Sequence, residues 1–544
     1  MAIRILIADS LAPEGAEYLK SQSGVEVTVN TKWAGNALAE ALASHDGAVV
    51  RSAVQITGAV LNEAFKHKDC RLQGIARAGV GVDNIDLETA TKFGVAVMNS
   101  ASASTITTAE HAFAMMMALA RNIGPAYMTM RNGGWDRNKF VGTQLHGKTL
   151  GVVGMGRIGQ AMARRARAFG MNVIGYDPMV DGKTALDGTV RLTSTFEELL
   201  EHADIVSFHV PKTDKTSGML GAEQFAKAKK GLLVVNAARG GIVDEAALLA
   251  ALDAGQCGGA AIDVFEPEPL AAESPLRTHA KVLVTPHLGA STVEAQEAVA
   301  FDACRSLLKF LKGEGLEGAV NAEGLNLDLT DRQKMFVELS LRMAQMLNAV
   351  ADLGEMREIK VFTRGTGMAN RGETICRYAL AEVLGLNSST PVTVINAMHV
   401  ARERKINVEA RSLGEQGDDR LTIEVVNGKG ESHVVEGTVY GDGQLRITNL
   451  DGYMMDMVAS GHMVILTNAD RPGRIGLVGQ LFGNAGVNIA EMVIGRRPRG
   501  ENGEVVAMMV MKVDGSATEG LIKSLRGAEG IMRAVSVDLP ITAG

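Results

Sequence analysis

The sequence predicts an α/β protein with two successive doubly wound parallel sheets, followed by an α+β unit and a small βαββαβ unit. Three observations carry this. Up to about residue 318, short apolar runs alternate with amphipathic helical patterns, as βαβ units require. From residue 319 helices mix instead with strand runs joined by Gly- and Asp-rich turns. From HMVILT onward the pattern reads strand, helix, strand, strand, helix, strand. A chain of 544 residues is also too long for one core, so several domains are expected.

In the first unit IRILIAD, VEVTV, GAVVRS, LQGIARAG and VAVMNS are strand-like. EGAEYLKSQ, ALAEALAS, AVLNEAFKHK and LETATKFG between them read as helices. This predicts a flavodoxin-like α/β unit over residues 1–100. TTAEHAFAMMMALARNI follows as a long helix, with Met115, Met116 and Met117 as core filler. The second unit, residues 101–286, has six expected parallel strands: TLGVVG, NVIGYD, DIVSFHV, GLLVVNA, GAAIDVF and KVLVTPH. Six in that succession match a complete Rossmann sheet. The helix TVEAQEAVAFDACRSLLKFLKG is expected to cross back, making the first domain discontinuous (1–100 with 287–318). VELSLRMAQMLNAVADLG, EIKVF, RLTIEVV and HVVEGTVY define the α+β domain, 319–455, whose Arg402, Arg404, Lys405 and Arg446 suit a solvated face. Residues 456–544 form the last unit.

Composition narrows the function classes. With 46% hydrophobic and 22% charged residues the chain reads as an ordinary globular protein. A formal charge of −7 gives no drive toward nucleic acid or an anionic membrane surface. Cys70, Cys257, Cys304 and Cys376 are scattered, so neither a disulfide framework nor a metal site is expected, and a cytoplasmic location suits them. MAIRILIADS reads as a first strand and not as a signal peptide, and no apolar run has transmembrane length.

The chemistry begins at GVVGMGRIG. Gly154, Gly156 and Gly159 have G-x-G-x-x-G spacing between a strand and a helix, where Gly156 admits a pyrophosphate to backbone amides at a helix N-terminus. Asp177, ending the next strand, is placed to accept hydrogen bonds from the adenosine ribose and to repel a 2′-phosphate, which favours NAD. Arg239 in VNAARGG, Glu268 in IDVFEPEP and His287 in VTPHLGAST follow successive strands of the same unit. Singly, each passes for a solvated loop residue. Together, at strand ends lining one crevice, they fit carbonyl/alcohol redox chemistry. Imidazole accepts the alcohol proton, a carboxylate orients it, and a guanidinium holds an α-carboxylate. Arg51 in VVRS and Arg77 in IARAG, at strand ends of the first unit, suit a phosphate.

The segments RAGVGVDNID, VVGMGRIG, VNAARGGIVDE, IDVFEPEP and TPHLGAST carry a resemblance. The chain resembles the D-isomer-specific 2-hydroxyacid dehydrogenases, and within them the long-form branch acting on 3-phospho-D-glycerate, over essentially its whole length. The C-terminal unit is similar to an ACT domain. This implies oxidation of 3-phosphoglycerate to 3-phosphohydroxypyruvate with NAD, the entry to L-serine biosynthesis, by a homotetramer or homodimer. Arg239 is then substrate-binding, Glu268 pairs with His287, and His287 is the acid/base. Cofactor contacts would add Arg157, Ile158, Val210, Ala237, Ala238, Asp263, Gly289 and Ala290. Ser52 and Gly79 would join Arg51 and Arg77 at the substrate, with Arg137 of GGWDRNKF reaching across a subunit interface. Asn468, Asp470 and Asn488, taken as lying at one strand–helix junction, would hold L-serine as effector. Val80 departs from the family, which often has threonine there. A glyoxylate or hydroxypyruvate reductase is the nearest rival, and its usual lack of the two C-terminal domains counts against it. A non-catalytic NAD-sensing interaction protein is a second rival, disfavoured by the ACT-like tail and the phosphate-suited arginines.

Overall fold

The computed structural model describes residues 2–541 except 34–35, 181–183, 187, 323, 352, 369, 387, 389, 442 and 498–504. Strands β1 (Ile3–Ile7), β2 (Val25–Val29), β3 (Gly47–Val50), β4 (Gly74–Arg77) and β5 (Ala96–Asn99) form a parallel sheet in the order 2-1-3-4-5. This is the flavodoxin-like order. Side-chain alternation divides its core in two. Ile5, Ile7, Val49 and Ala76 face the helices Pro13–Lys20 and Val293–Leu311. Leu6, Ala48, Val50 and Ile75 face Ala37–Ser44 and Gly58–Ala64. The helix after the second sheet thus returns to cover the first.

The second sheet contains β6 (Thr149–Val153), β7 (Asn172–Tyr176), β8 (Thr184–Ala185), β9 (Val190–Leu192), β10 (Ile205–Phe208), β11 (Leu232–Asn236), β12 (Cys257–Ile262) and β13 (Val282–Val284). Its order is 13-12-11-10-6-7-9-8, with seven parallel strands and β8 antiparallel. Sequence reading expects six parallel strands and misses β9, because VRL is short and carries an exposed Arg191. The order of successive strands reverses between β6 and β10, which opens a crevice at their carboxyl ends. The helix Thr105–Ala120 covers one face, with Met115 and Met116 buried against Leu150, Val152 and Val235.

A third sheet runs β15-β14-β16-β17-β18-β19, from β14 (Met356–Arg364), β15 (Asn407–Ser412), β16 (Arg420–Asn427), β17 (Ser432–Val439), β18 (Leu445–Leu450) and β19 (Tyr453–Val458). Sequence reading finds three of these six, and its boundary after residue 455 falls inside β19. The fourth sheet, order β21-β22-β20-β23, is antiparallel: β20 (Gly461–Ala469), β21 (Ile489–Arg496), β22 (Val506–Val513) and β23 (Ile531–Leu539). Helices Arg474–Asn484 and Glu519–Gly527 cover one face through Val478, Phe482, Leu521 and Leu525. Met463, Ile465, Met508 and Val510 enter the core of the third sheet from the other face.

Candidate active site

The three glycines after β6 each meet a different steric demand. Gly154 has φ 92°, and a Cβ there would lie 2.5 Å from the His209 carbonyl oxygen. Gly156 caps the helix Arg157–Ala168 and opens onto free space, where a cofactor phosphate needs room. A Cβ on Gly159 would collide with the Gly154 carbonyl, so this glycine lets helix and strand close together. Asp177 follows β7. Its Oδ2 accepts the Met155 N–H at 2.8 Å and its Oδ1 the Met179 N–H at 2.9 Å, tying the glycine turn to the next strand. Each oxygen keeps acceptor capacity. An open glycine turn, a helix N-terminus and a carboxylate beside them fit NAD. Arg157 is exposed and Ile158 half-buried at the helix start, while Val210 follows β10 at the same edge.

Across the crevice, His287 Nδ1 lies 2.8 Å from Glu268 Oε2, and Glu268 Oε1 accepts the Phe265 N–H at 3.0 Å. A carboxylate only accepts, so Nδ1 carries the proton and a neutral ring presents Nε2 as a bare acceptor. Both side chains are partly open to solvent. His287 adopts φ 55°, a left-handed conformation uncommon for a side-chain-bearing residue. Asp263 lies beneath it, fully buried. Its carboxylate accepts Thr285 Oγ1–H at 2.6 Å, Leu288 N–H at 2.8 Å and Gly289 N–H at 2.9 Å, and lies 3.2 Å from His111 Nε2. Burial alone would raise its pKa. His111, Thr285 and the Leu288 amide outweigh that and hold it below the ordinary carboxylate value. Ala290 lies half-buried at the end of this loop, and Ala237 and Ala238 follow β11.

Three guanidinium groups meet at the junction of the first two sheets. Asn236 shapes the turn after β11 by donating to the Arg239 carbonyl at 2.9 Å and accepting the Ala238 N–H at 3.1 Å. The Arg239 side chain reaches Asp83 of the first unit through Nε at 3.1 Å. Arg77, ending β4, donates to Ser52 Oγ at 3.2 Å. Burial lowers its pKa to about 10, with neighbouring Arg239 and Arg51 adding to the shift. Side chains at Gly79 and Gly81 would occupy the space of the Arg77 and Arg239 guanidinia. Arg51, Ser52, Arg77, Gly79 and Arg239 are therefore one neighbourhood. Arg137 is not in it: it lies in an exposed loop, and no hydrogen bond or ion pair among the described residues joins it to this cluster. Asp83, His111 and Thr285 were missed by sequence reading. Asp83 stands within RAGVGVDNID, but nothing local marks it as the partner of a residue 156 positions away.

In the fourth sheet the three expected effector residues do not converge within one chain. Asn468 is fully buried near one end, where β20 pairs with β22 at Ala507, and Asp470 beside it is paired with Arg496 at 2.7 Å. Asn488 precedes Ile489, which pairs with Val513 at the opposite end, and it donates to Asp514 at 2.9 Å. The length of β22 separates them, because β21 begins at the far end of the sheet from where β20 finishes.

Residues 113–289 match the family model "D-isomer specific 2-hydroxyacid dehydrogenase, NAD binding domain", and residues 332–451 match "D-3-phosphoglycerate dehydrogenase intervening domain". The D-3-phosphoglycerate dehydrogenase of Archaeoglobus fulgidus is 36% identical over 538 residues, covering 99% of this chain and all of its own length. The chain belongs to the D-3-phosphoglycerate dehydrogenase family. The Bacillus subtilis D-3-phosphoglycerate dehydrogenase is 37% identical over 538 residues, again with 99% and 100% coverage. Among solved structures, the TT0316 protein from Thermus thermophilus superposes with a TM-score of 0.52 at 34% identity, over 58% of this chain and all of that one. A glyoxylate reductase from Paecilomyes thermophila superposes with a TM-score of 0.54 at 28% identity, over 59% and 98%. As a D-3-phosphoglycerate dehydrogenase family member the chain is an NAD-dependent oxidoreductase. Among the described residues no helix is long and apolar enough to cross a membrane.

Proposed function

We propose that the chain oxidises 3-phospho-D-glycerate to 3-phosphohydroxypyruvate at the crevice between the first two sheets, the first step of L-serine biosynthesis. The observation carrying this is the pairing of His287 with Glu268 in the same crevice as the Arg51, Arg77 and Arg239 guanidinia. NAD, when bound, supplies the hydride acceptor. Gly154, Gly156, Arg157, Ile158, Gly159, Asp177, Val210, Ala237, Ala238, Asp263, Gly289 and Ala290 line its site. His287 Nε2 takes the proton of the C2 hydroxyl, and Glu268 holds the ring and stabilises the imidazolium. Arg239 holds the α-carboxylate, with its Nε end fixed by Asp83. Arg51, Ser52 and Arg77 receive the phosphate, with Gly79 leaving room for Arg77.

The test is NAD reduction with 3-phosphoglycerate, repeated with phosphate-free D-glycerate. Loss of the phosphate contacts should lower kcat/KM about 100-fold or more, about 3 kcal/mol. Equal rates would remove the phosphate site and favour a general D-2-hydroxyacid dehydrogenase.

Self-association belongs to the same reading. Ile123, Tyr127, Met128, Met130, Trp135 and Val141 are exposed along one helix and the loop after it, with Trp135 77% and Val141 80% accessible. A second copy covering this surface would bring Arg137 near a neighbour's crevice. L-serine as effector needs the same device in the C-terminal unit, since Asn488 can join Asn468 and Asp470 only from another copy. Calorimetry of the full chain with L-serine, against D-serine, tests it; no heat at millimolar L-serine sinks the idea.

A further inference from the structure

His111 stands in the middle of the helix Thr105–Ala120, and beyond its contact with Asp263 it has no role in the reaction proposed above. Its Nε2 is 3.2 Å from Asp263 Oδ1 and 3.3 Å from Thr285 Oγ1. Proton accounting fixes the roles. Asp263 only accepts, and the Thr285 hydroxyl hydrogen is spent on it at 2.6 Å, so His111 Nε2 must carry a hydrogen directed at this pair.

The group receiving that hydrogen bond holds the catalytic loop. The Asp263 carbonyl accepts His287 N–H at 2.9 Å, while its carboxylate accepts Leu288 N–H and Gly289 N–H. One buried residue thus binds three consecutive amides around a histidine in a left-handed backbone conformation, which persists only where its surroundings impose it. A fully buried carboxylate keeps its charge and place only if donors surround it. Among the described residues, His111 and Thr285 are its side-chain donors.

We infer that His111 is a positioning residue for the dehydrogenation: through Asp263 it fixes the 287–289 loop and so the reach of His287 Nε2 toward the substrate hydroxyl. Without the Nε2 donor the carboxylate is under-compensated, shifts or takes up a proton, and loosens its hold on the three amides. Misplacement of this kind by about an ångström lowers turnover by up to about 100-fold. Substrate affinity is spared, because Arg51, Arg77 and Arg239 lie outside the network. The inference rests on His287 being the acid/base group.

The test uses the full-length enzyme. His111→Leu removes the donor, whereas His111→Gln puts an amide N–H near the Nε2 position. Expected is a fall in kcat of about 10- to 100-fold in His111→Leu, with KM for 3-phosphoglycerate within about twofold of the parent, and recovery of most of the loss in His111→Gln. Thr285→Val, which removes the other donor while keeping shape, should lower kcat in the same way, and it decides the matter should His111→Leu fail to fold. Unchanged kcat in His111→Leu, or equal losses in His111→Leu and His111→Gln, overturns the inference. His287→Ala separates the two readings. Near-normal turnover there overturns the role of His287 itself, whereas an inactive His287→Ala beside a fully active His111→Leu overturns only the role of His111.

Discussion

Asp177 does two jobs with one carboxylate. In the proposed reading it meets the cofactor ribose, and its Oδ2 already holds the Met155 amide of the glycine turn. Asp177→Ala should therefore weaken NAD by about 1–3 kcal/mol and narrow the gap to NADP. Asp177→Asn keeps an acceptor for Met155 and should lose less; equal use of NAD and NADP by the parent enzyme would defeat this assignment. His209, just after β10, makes a second residue-scale prediction. Burial lowers its pKa from 6.5 to about 4, and its Nε2 meets Ser207 Oγ at 2.9 Å. The folded protein thus binds this proton less well than the unfolded chain does. The stabilising contribution is complete above pH 6.5 and drains away as pH falls toward 4. Between pH 7 and pH 5 this one group should cost about 2 kcal/mol, an upper figure because the residue keeps some solvent contact. In His209→Gln the acid-induced loss, followed by urea unfolding at both pH values, should shrink by that amount.

At the scale of elements, the turn between β6 and its helix separates stability from binding. A methyl group at Gly159 would run into the Gly154 carbonyl, so Gly159→Ala should lower the unfolding midpoint by several degrees even without cofactor. A methyl group at Gly156 meets nothing of the protein, so Gly156→Ala should fold normally and yet bind NADH at least about tenfold more weakly. Thermal unfolding and NADH fluorescence titration of both variants check the contrast. Equal effects on the two readouts would mean that the turn serves packing alone. The helix Val293–Leu311 shows the same dependence on place. It follows the second sheet in sequence, yet Leu307 and Leu308 are buried with Ile5, Val49 and Ala76 of the first.

For the whole molecule, the C-terminal unit is not free-standing. Met463, Ile465, Met508 and Val510 are buried with Tyr453, Met455 and Met457, Arg497 pairs with Asp451 at 2.9 Å, and Arg533 donates to the Ala349 carbonyl at 2.9 Å. A fragment of residues 456–544 exposes that apolar face and should aggregate or stay loosely packed, whereas a fragment beginning near residue 325 should fold. Near-ultraviolet circular dichroism and sedimentation of both fragments test this; a monomeric, well-packed short fragment counts against it. For assembly, Tyr127→Glu with Trp135→Ser should shift the chain toward monomer in sedimentation, and Arg137→Ala should raise KM for 3-phosphoglycerate about tenfold without changing the oligomer.

Much of this was legible in the chain itself, because periodicity and glycine spacing are local. The parallel sheets, the turn at Gly154–Gly159 and the placing of Arg51, Arg77, Arg239, Glu268 and His287 at or after strand ends all follow from short segments. Some strands were not legible: VRL at β9 is only three residues long, and β15 gains its partner β14 across two intervening α-helices, whereas β18 and β19 pair with each other in a local hairpin that sequence reading passed over. Nor were the pairs that complete the site. Asp83 with Arg239, and His111 with Asp263, join residues more than 150 positions apart. The proposed effector trio shows the converse, since Asn488 lies close to Asn468 and Asp470 in sequence but is separated from them by the length of a strand. The sequence by itself determined which residues could do chemistry and on which strand ends they stand. Only the folded chain decided which of them meet, because hydrogen bonds and ion pairs act over a few ångströms of space whatever their separation along the backbone.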